Sequence, residues 1–154
     1  MNKEALHKLQ KYCAYQERCH YEVEQKARSL GLYGTEVQEM VLELMRDNYL
    51  NEERFVEIYV RSKVSQKKWG SYKIKQELRK KKVVPKLIDK YLILYEGEIM
   101  EENASQLAIK FINERNFSTI DLNEKMKLKR FLQQKGYSQQ IISDLINKIE
   151  KQPK

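Results

Sequence analysis

Five apolar or small positions recur three times along the chain with the same internal spacing. Val23, Ala27, Leu32, Val37 and Val41 form the first set. A shift of 51 residues gives Ile74, Leu78, Val83, Ile88 and Leu92, and a further 54 gives Leu128, Leu132, Tyr137, Ile142 and Ile146. The step of four between the first two members puts both on one face of a helix. The next steps cross a tight turn into a second helix. A recurrence of this length marks one helical unit used three times, each copy completing its core against its neighbours.

A further helix precedes each pair. "NKEALHKLQKYCAYQER" sets Leu6, Leu9 and Cys13 on one stripe, "NEERFVEIYVRSKVSQ" sets Phe55, Ile58, Tyr59 and Ser62, and "NASQLAIKFINER" sets Leu107, Phe111 and Ile112. Period-two alternation is missing throughout, so the expected fold is all-α: three tandem three-helix repeats over 1–50, 51–95 and 96–154. Asn51 is a good N-cap, with Glu52 and Glu53 in the positive first turn. Gly31 and Gly136 fall just past the middle helices, where a left-handed cap favours Gly. Lys82 holds the equivalent place in the second repeat, at a cost of about 1 kcal/mol if that cap is left-handed too. Either that turn differs or the side chain has another use. Pro85 suits the first turn of the helix that follows.

Charge divides the repeats. Residues 1–50 carry 7 Lys/Arg against 8 Asp/Glu, residues 51–92 carry 13 against 5, and residues 93–154 carry 10 against 9. The whole excess of +8 is therefore local to the middle third, which suggests a surface aimed at a polyanion or an acidic partner. Mean hydropathy is -0.77 while 41% of residues are hydrophobic, a balance suited to short helices rather than to disorder or one large core. No apolar run reaches the length of a bilayer-spanning helix. The opening residues lack the apolar centre of a signal peptide, so Cys13 and Cys19 are expected to be reduced thiols in a cytoplasmic protein.

Catalytic and metal constellations are weak. Cys13, Cys19, His20 and His7 match no common zinc spacing, and nothing is placed to orient a Cys–His nucleophile pair. "GLYG" at 31–34 is too short for a phosphate loop. Glu52 and Glu53 read as helix N-terminal acids. The acids of "YEGEIMEENAS" read as a solvated helix end or connector. A non-enzymatic protein without cofactor or metal is expected. Tyr12, Tyr15, Tyr21, Tyr59 and Tyr91 are expected to cover thin cores.

The stretch "KKWGSYKIKQELRKKKV" is the middle helix of the second repeat. With Ile74 and Leu78 inward, a rotation of about 100° per residue turns Tyr72, Gln76, Arg79 and Lys80 outward. Lys73 and Lys75 flank that face, and Lys67 and Lys68 precede it. Lys81 and Lys82 fall nearer the core side. Its siblings "YEVEQKARSLG" and "KMKLKRFLQQKG" keep the apolar positions, and the charge excess is read as particular to the second repeat. The candidate binding residues are Lys67, Lys68, Trp69, Tyr72, Lys73, Lys75, Arg79 and Lys80.

Taken in order, "CAYQERCHYEVEQKARSLG", "NYLNEERFVEIYVRSKV", "KKWGSYKIKQEL" and "RFLQQKGYSQQIISDLI" resemble the RecX family of recombination regulators over nearly the whole chain. Two departures stand out: Lys82 replaces a common Gly, and Ala27 replaces a larger apolar residue. The resemblance implies an elongated, curved arrangement of the repeats. It also implies binding in the groove of the RecA filament on single-stranded DNA, with suppression of strand exchange, ATP hydrolysis and coprotease activity, and in some members direct DNA binding. The expected protein is a monomer with the RecA filament as partner. The alternatives are a helical-repeat DNA-binding protein with no RecA role and a scaffold for an acidic protein.

Overall fold

In the computed structural model the described residues are 1–116 and 120–151, and all regular structure among them is helical. The helices run in chain order as α1 (Lys3–Tyr15), α2 (His20–Ser29), α3 (Thr35–Arg46), α4 (Glu52–Ser65), α5 (Ser71–Lys80), α6 (Pro85–Leu92), α7 (Glu98–Glu114), α8 (Leu122–Lys135) and α9 (Gln139–Lys151). They group as three successive triplets. None of them is long and apolar enough to cross a membrane.

The helix starts follow the local chemistry. Asn2 accepts from the Ala5 amide at 3.0 Å, Asn51 from Arg54 at 2.9 Å, and Asp121 from Glu124 at 2.8 Å. Each bond satisfies an amide that the first turn leaves without an intrahelical partner. Pro85 opens α6, where its missing N–H is harmless.

All fifteen recurrent positions are buried, each at 5% exposure or less. The turns after the middle helices are also the same three times over. Leu32 N–H donates to the Ala27 carbonyl, Val83 to Leu78 and Tyr137 to Leu132, at 3.1 to 3.2 Å. Gly31, Lys82 and Gly136 all have positive φ, at 90°, 63° and 99°. Lys82 therefore adopts the left-handed turn that its Gly siblings adopt, and the turn does not differ.

The leading helices bury stripes that overlap the expected ones only in part: Leu9, Cys13, Phe55 and Phe111 are buried as expected, and the rest of each row differs. In α1 the buried row is Ala5, Leu9 and Cys13, with Leu6 only partly covered. In α4 it is Val56, Val60 and Val64 together with Phe55, while Ile58 is exposed. In α7 it is Met100, Ala104, Ala108 and Phe111, with Leu107 and Ile112 partly covered. Ala5/Leu9/Cys13, Val56/Val60/Val64 and Met100/Ala104/Ala108 are i, i+4 rows. Among the tyrosines expected to cover cores, Tyr15 differs, at 84% exposure.

The chain forms two compact units, which are a different division from the repeats. One comprises Met1–Tyr59 and Leu78–Ile88, the other Val60–Glu77 and Asp89–Lys154. The first unit has a core of Ala5, Leu9, Val23, Met40, Leu44 and their neighbours. It also holds a set of side-chain bonds made by "NYLNEERF". Arg54 Nε donates to Glu17 at 2.7 Å, while its other nitrogens hold the Asn48 side chain and carbonyl at 3.1 and 3.2 Å. Glu52 accepts from the His20 amide at 3.2 Å and lies 3.4 Å from His20 Nδ1. These residues are a structural joint, with their functional groups turned onto the protein itself.

Candidate binding face

In the second unit the face begins at the α4–α5 connection. Lys68 has φ +54°, and its carbonyl accepts the Tyr137 hydroxyl. Burial pushes the Tyr137 phenol well above its ordinary pKa, so it stays a donor there at all physiological pH. The Trp69 amide donates to the Lys63 carbonyl at 3.0 Å. The Trp69 ring lies between two ammonium groups, Lys63 Nζ at 4.8 Å and Lys73 Nζ at 4.5 Å from its centroid. Contacts of this kind contribute about 0.5–1 kcal/mol each when exposed. Lys63 is the member that the sequence pattern missed: it stands in the last turn of α4, four residues before the basic run, and the fold of the connection brings it to the ring.

The first turn of α5 is capped by another helix. Gly70 N–H donates to the Lys135 carbonyl at 2.7 Å and Tyr72 N–H to the Gly136 carbonyl at 3.0 Å. The C-terminal end of α8 thus supplies acceptors to the N-terminal end of α5, joining opposite ends of two helix dipoles. A β-carbon on Gly70 would collide with the Gly136 and Tyr137 backbone, and one on Gly136 would lie 2.5 Å from Lys73. Trp69-Gly70 is therefore partly a packing motif.

The expected binding residues fall into classes. Lys67 is exposed and Tyr72 is 61% exposed. Lys73 rests on Trp69. Lys75 Nζ lies 3.7 Å from Asp89, so its charge is partly neutralised. Lys68 and Trp69 are half-buried. In the first unit, Arg79 and Lys80 are exposed in the last turn of α5. Lys81 Nζ pairs with Glu22 at 3.2 Å, so this lysine is part of the first unit's packing. Lys82 is exposed.

Helix for helix, the positive charge is not particular to α5. α8 carries Lys125, Lys127, Lys129, Arg130 and Lys135 against Glu124 alone. Segment balance concealed this, because Glu98, Glu101 and Glu102 at the start of α7 offset it.

Cys13 and Cys19 are buried free thiols. Burial pushes Cys13 up to about 11 and Cys19 up to about 12, so neither is a thiolate nucleophile near neutral pH. Among the described residues no three His, Cys, Asp or Glu side chains converge as a metal site. The α5 face has the chemistry of a polyanion- or acid-binding surface: cations, an exposed tyrosine and a tryptophan held between ammonium groups.

Known proteins share this architecture. The family model described as RecX, second three-helix domain, matches residues 51–92, and that described as RecX, third three-helix domain, matches residues 98–146. A regulatory protein RecX from Bacillus cytotoxicus is 28% identical over 142 residues, covering 92% of this chain and 52% of the relative. One from Bacillus cereus is 29% identical over 140 residues, covering 90% and 51%. The chain thus spans about half the length of the curated relatives it matches. The crystal structure of RecX from Lactobacillus salivarius superposes with a TM-score of 0.83 at 29% identity, covering 96% of each chain. A second crystal structure of a regulatory protein RecX has a TM-score of 0.82 at 23% identity, covering 94% of this chain and 71% of the other, and speaks to the fold.

Proposed function

The chain belongs to the RecX family, and on that premise we propose that it binds the filament formed by RecA on single-stranded DNA and lowers RecA's ATPase, strand-exchange and coprotease activities without catalysing a reaction. The observation that carries this reading is the exposed part of α5. Ile74 and Leu78 are fully buried and satisfy the repeat, whereas Lys67, Tyr72 and Arg79 are exposed and serve no core. Charged and aromatic side chains that the fold does not require are what a partner surface needs.

Binding in the filament groove explains inhibition without chemistry. A body that touches two neighbouring protomers opposes their relative motion by as much as it prefers one arrangement over another. Such a composite site is missing from free RecA, so the filament should bind far more tightly than the monomer. Lys67, Tyr72, Arg79 and Lys80 are assigned the contact with phosphate or acidic protein surface. Lys73 and Trp69 act as a preformed pair beside them, and Lys68 and Lys75 support the face. The protein is taken to act as a monomer in the cytoplasm.

The test is anisotropy of the labelled protein titrated with RecA, with and without single-stranded DNA and a non-hydrolysable nucleotide. Binding that requires the filament supports the proposal, and equal affinity for monomer and filament refutes it.

A further inference from the structure

The second unit also contains a cleft between α7 and α8, and its lining is chemically one-sided. Phe111 and Arg115 at the end of α7 meet Lys127, Arg130, Phe131 and Gln134 of α8 around a hollow of about 230 Å³. None of the six is acidic, and three are cationic. Glu114, next to Arg115 in the chain, pairs with Lys110 at 3.9 Å.

The cleft is also preorganised. The Phe111 and Phe131 rings stack with centroids 4.7 Å apart and an interplanar angle of 27°. The Arg115 guanidinium carbon lies 3.6 Å from the Phe111 centroid, and its Nη1 donates to the Phe111 carbonyl at 3.5 Å. That stack orients a planar fork whose remaining donors suit phosphate oxygens two at a time. Lys127, Arg130 and Gln134 follow one another at steps of three and four, on one face of α8. The two cations sit about 4.5 Å apart along the helix axis, and Gln134 carries the polar row about 6 Å further.

We infer that this cleft is a second nucleic-acid contact, in which Arg115, Lys127 and Arg130 hold backbone phosphates of a single strand while Phe131 and Gln134 meet an adjacent base. Cations following a backbone beside an aromatic platform are what single-strand binding requires. An acidic peptide would use the cations but has no use for the ring. The half-buried Phe131 edge and the Gln134 amide, which both donates and accepts, favour a base. This contact goes beyond the filament reading and is assayed without RecA.

The experiment is anisotropy of a labelled oligothymidylate with the full chain across a range of salt. The Arg115→Gln, Lys127→Gln, Arg130→Gln variant should bind at least about tenfold more weakly at low salt, with the log–log salt slope smaller by about 2, or about 0.7 for each lost single-strand phosphate contact. Phe131→Leu should weaken oligothymidylate binding while leaving affinity for inorganic polyphosphate, which has no bases, unchanged. Wild-type affinity and slope in the triple variant, with helical content and melting intact, would overturn the inference. So would polyglutamate displacing the strand as well as unlabelled oligothymidylate at equal charge, which would assign the cleft to an acidic protein. Equal loss of both ligands in a folded Phe131→Leu variant would overturn the base contact.

Discussion

Gly70 and Gly136 meet backbone to backbone, and neither position has room for a β-carbon. Gly136 ends α8 in a left-handed turn while its carbonyl accepts from Tyr72 in the first turn of α5. The same contact fixes Trp69 and the start of the basic helix, so the positioning of the candidate face depends on two missing side chains. Gly31 occupies the equivalent turn of the first repeat with nothing near it.

That contrast predicts unequal costs for one substitution. Gly31→Ala should cost only the left-handed penalty, about 1–2 kcal/mol. Gly136→Ala adds a collision with Lys73, so a further 1–3 kcal/mol or so is expected. Gly70→Ala, which meets backbone, should resemble Gly136→Ala. With about 2–4 °C per kcal/mol for a chain of this length, thermal melts separate the cases. Equal shifts at Gly31 and Gly136, or no shift at Gly70, would show that the close approach contributes nothing.

Lys82 presents the reverse case. It holds φ +63° with an exposed side chain, so Lys82→Gly relieves strain of about 1 kcal/mol, offset in part by a more flexible unfolded chain. A net gain of a few tenths of a kcal/mol, read as a higher melting temperature, is expected. A drop would mean that the lysine stabilises the turn by another route.

Alkaline pH should destabilise the protein. Burial raises the Cys13 thiol from its ordinary 9.0 to about 11 and the Cys19 thiol to about 12. Above about pH 9 the unfolded chain releases these protons and the folded chain keeps them, so the unfolded state binds fewer protons and stability falls as pH rises. The stabilisation is complete below pH 9 and is lost as pH climbs through the folded values. Denaturant melts from pH 7 to 10.5 should show the decline, and a Cys13→Ala, Cys19→Ala variant should show a shallower one between pH 9 and 10. An unchanged slope in that variant would exclude the thiols as its source.

Within the α5 face the substitutions should not be equivalent. Lys67→Glu with Arg79→Glu alters exposed charges and should reduce partner binding about tenfold or more without moving the melt. Lys75→Gln removes a cation already 3.7 Å from Asp89 and should reduce binding less. Paired binding and melting curves check the order, and a larger loss from Lys75→Gln would reassign the face.

The repeat could be read from sequence because its five positions carry apolar residues, all large or branched except Ala27, across a turn of constant length. Lys82 alone blurred it, and the backbone there matches its siblings. The leading helices were less legible. α4 offers two apolar rows, and hydrophobic size favours Ile58 and Tyr59, yet the buried row is Val56, Val60 and Val64. Which row wins depends on how tightly the neighbouring helices pack, and that is a property of the assembled repeat. The positive charge of α5 was legible as composition, but its pairing was not. Lys81 finds Glu22, 59 positions away in sequence, and Trp69 finds Lys63 through the loop. The charge of α8 vanished in a regional balance, because the acids of α7 cancel it on paper without neutralising it in space.

The central claim is that the chain regulates RecA on single-stranded DNA through the exposed residues of α5. Its most direct test is the steady-state ATPase of RecA on single-stranded DNA, with the wild-type chain and the Lys67→Glu, Arg79→Glu variant titrated in parallel. The expected result is a saturating fall in ATPase with the wild type and a curve displaced to about tenfold higher concentration with the variant. An ATPase rate unchanged at saturating wild-type protein would contradict the account.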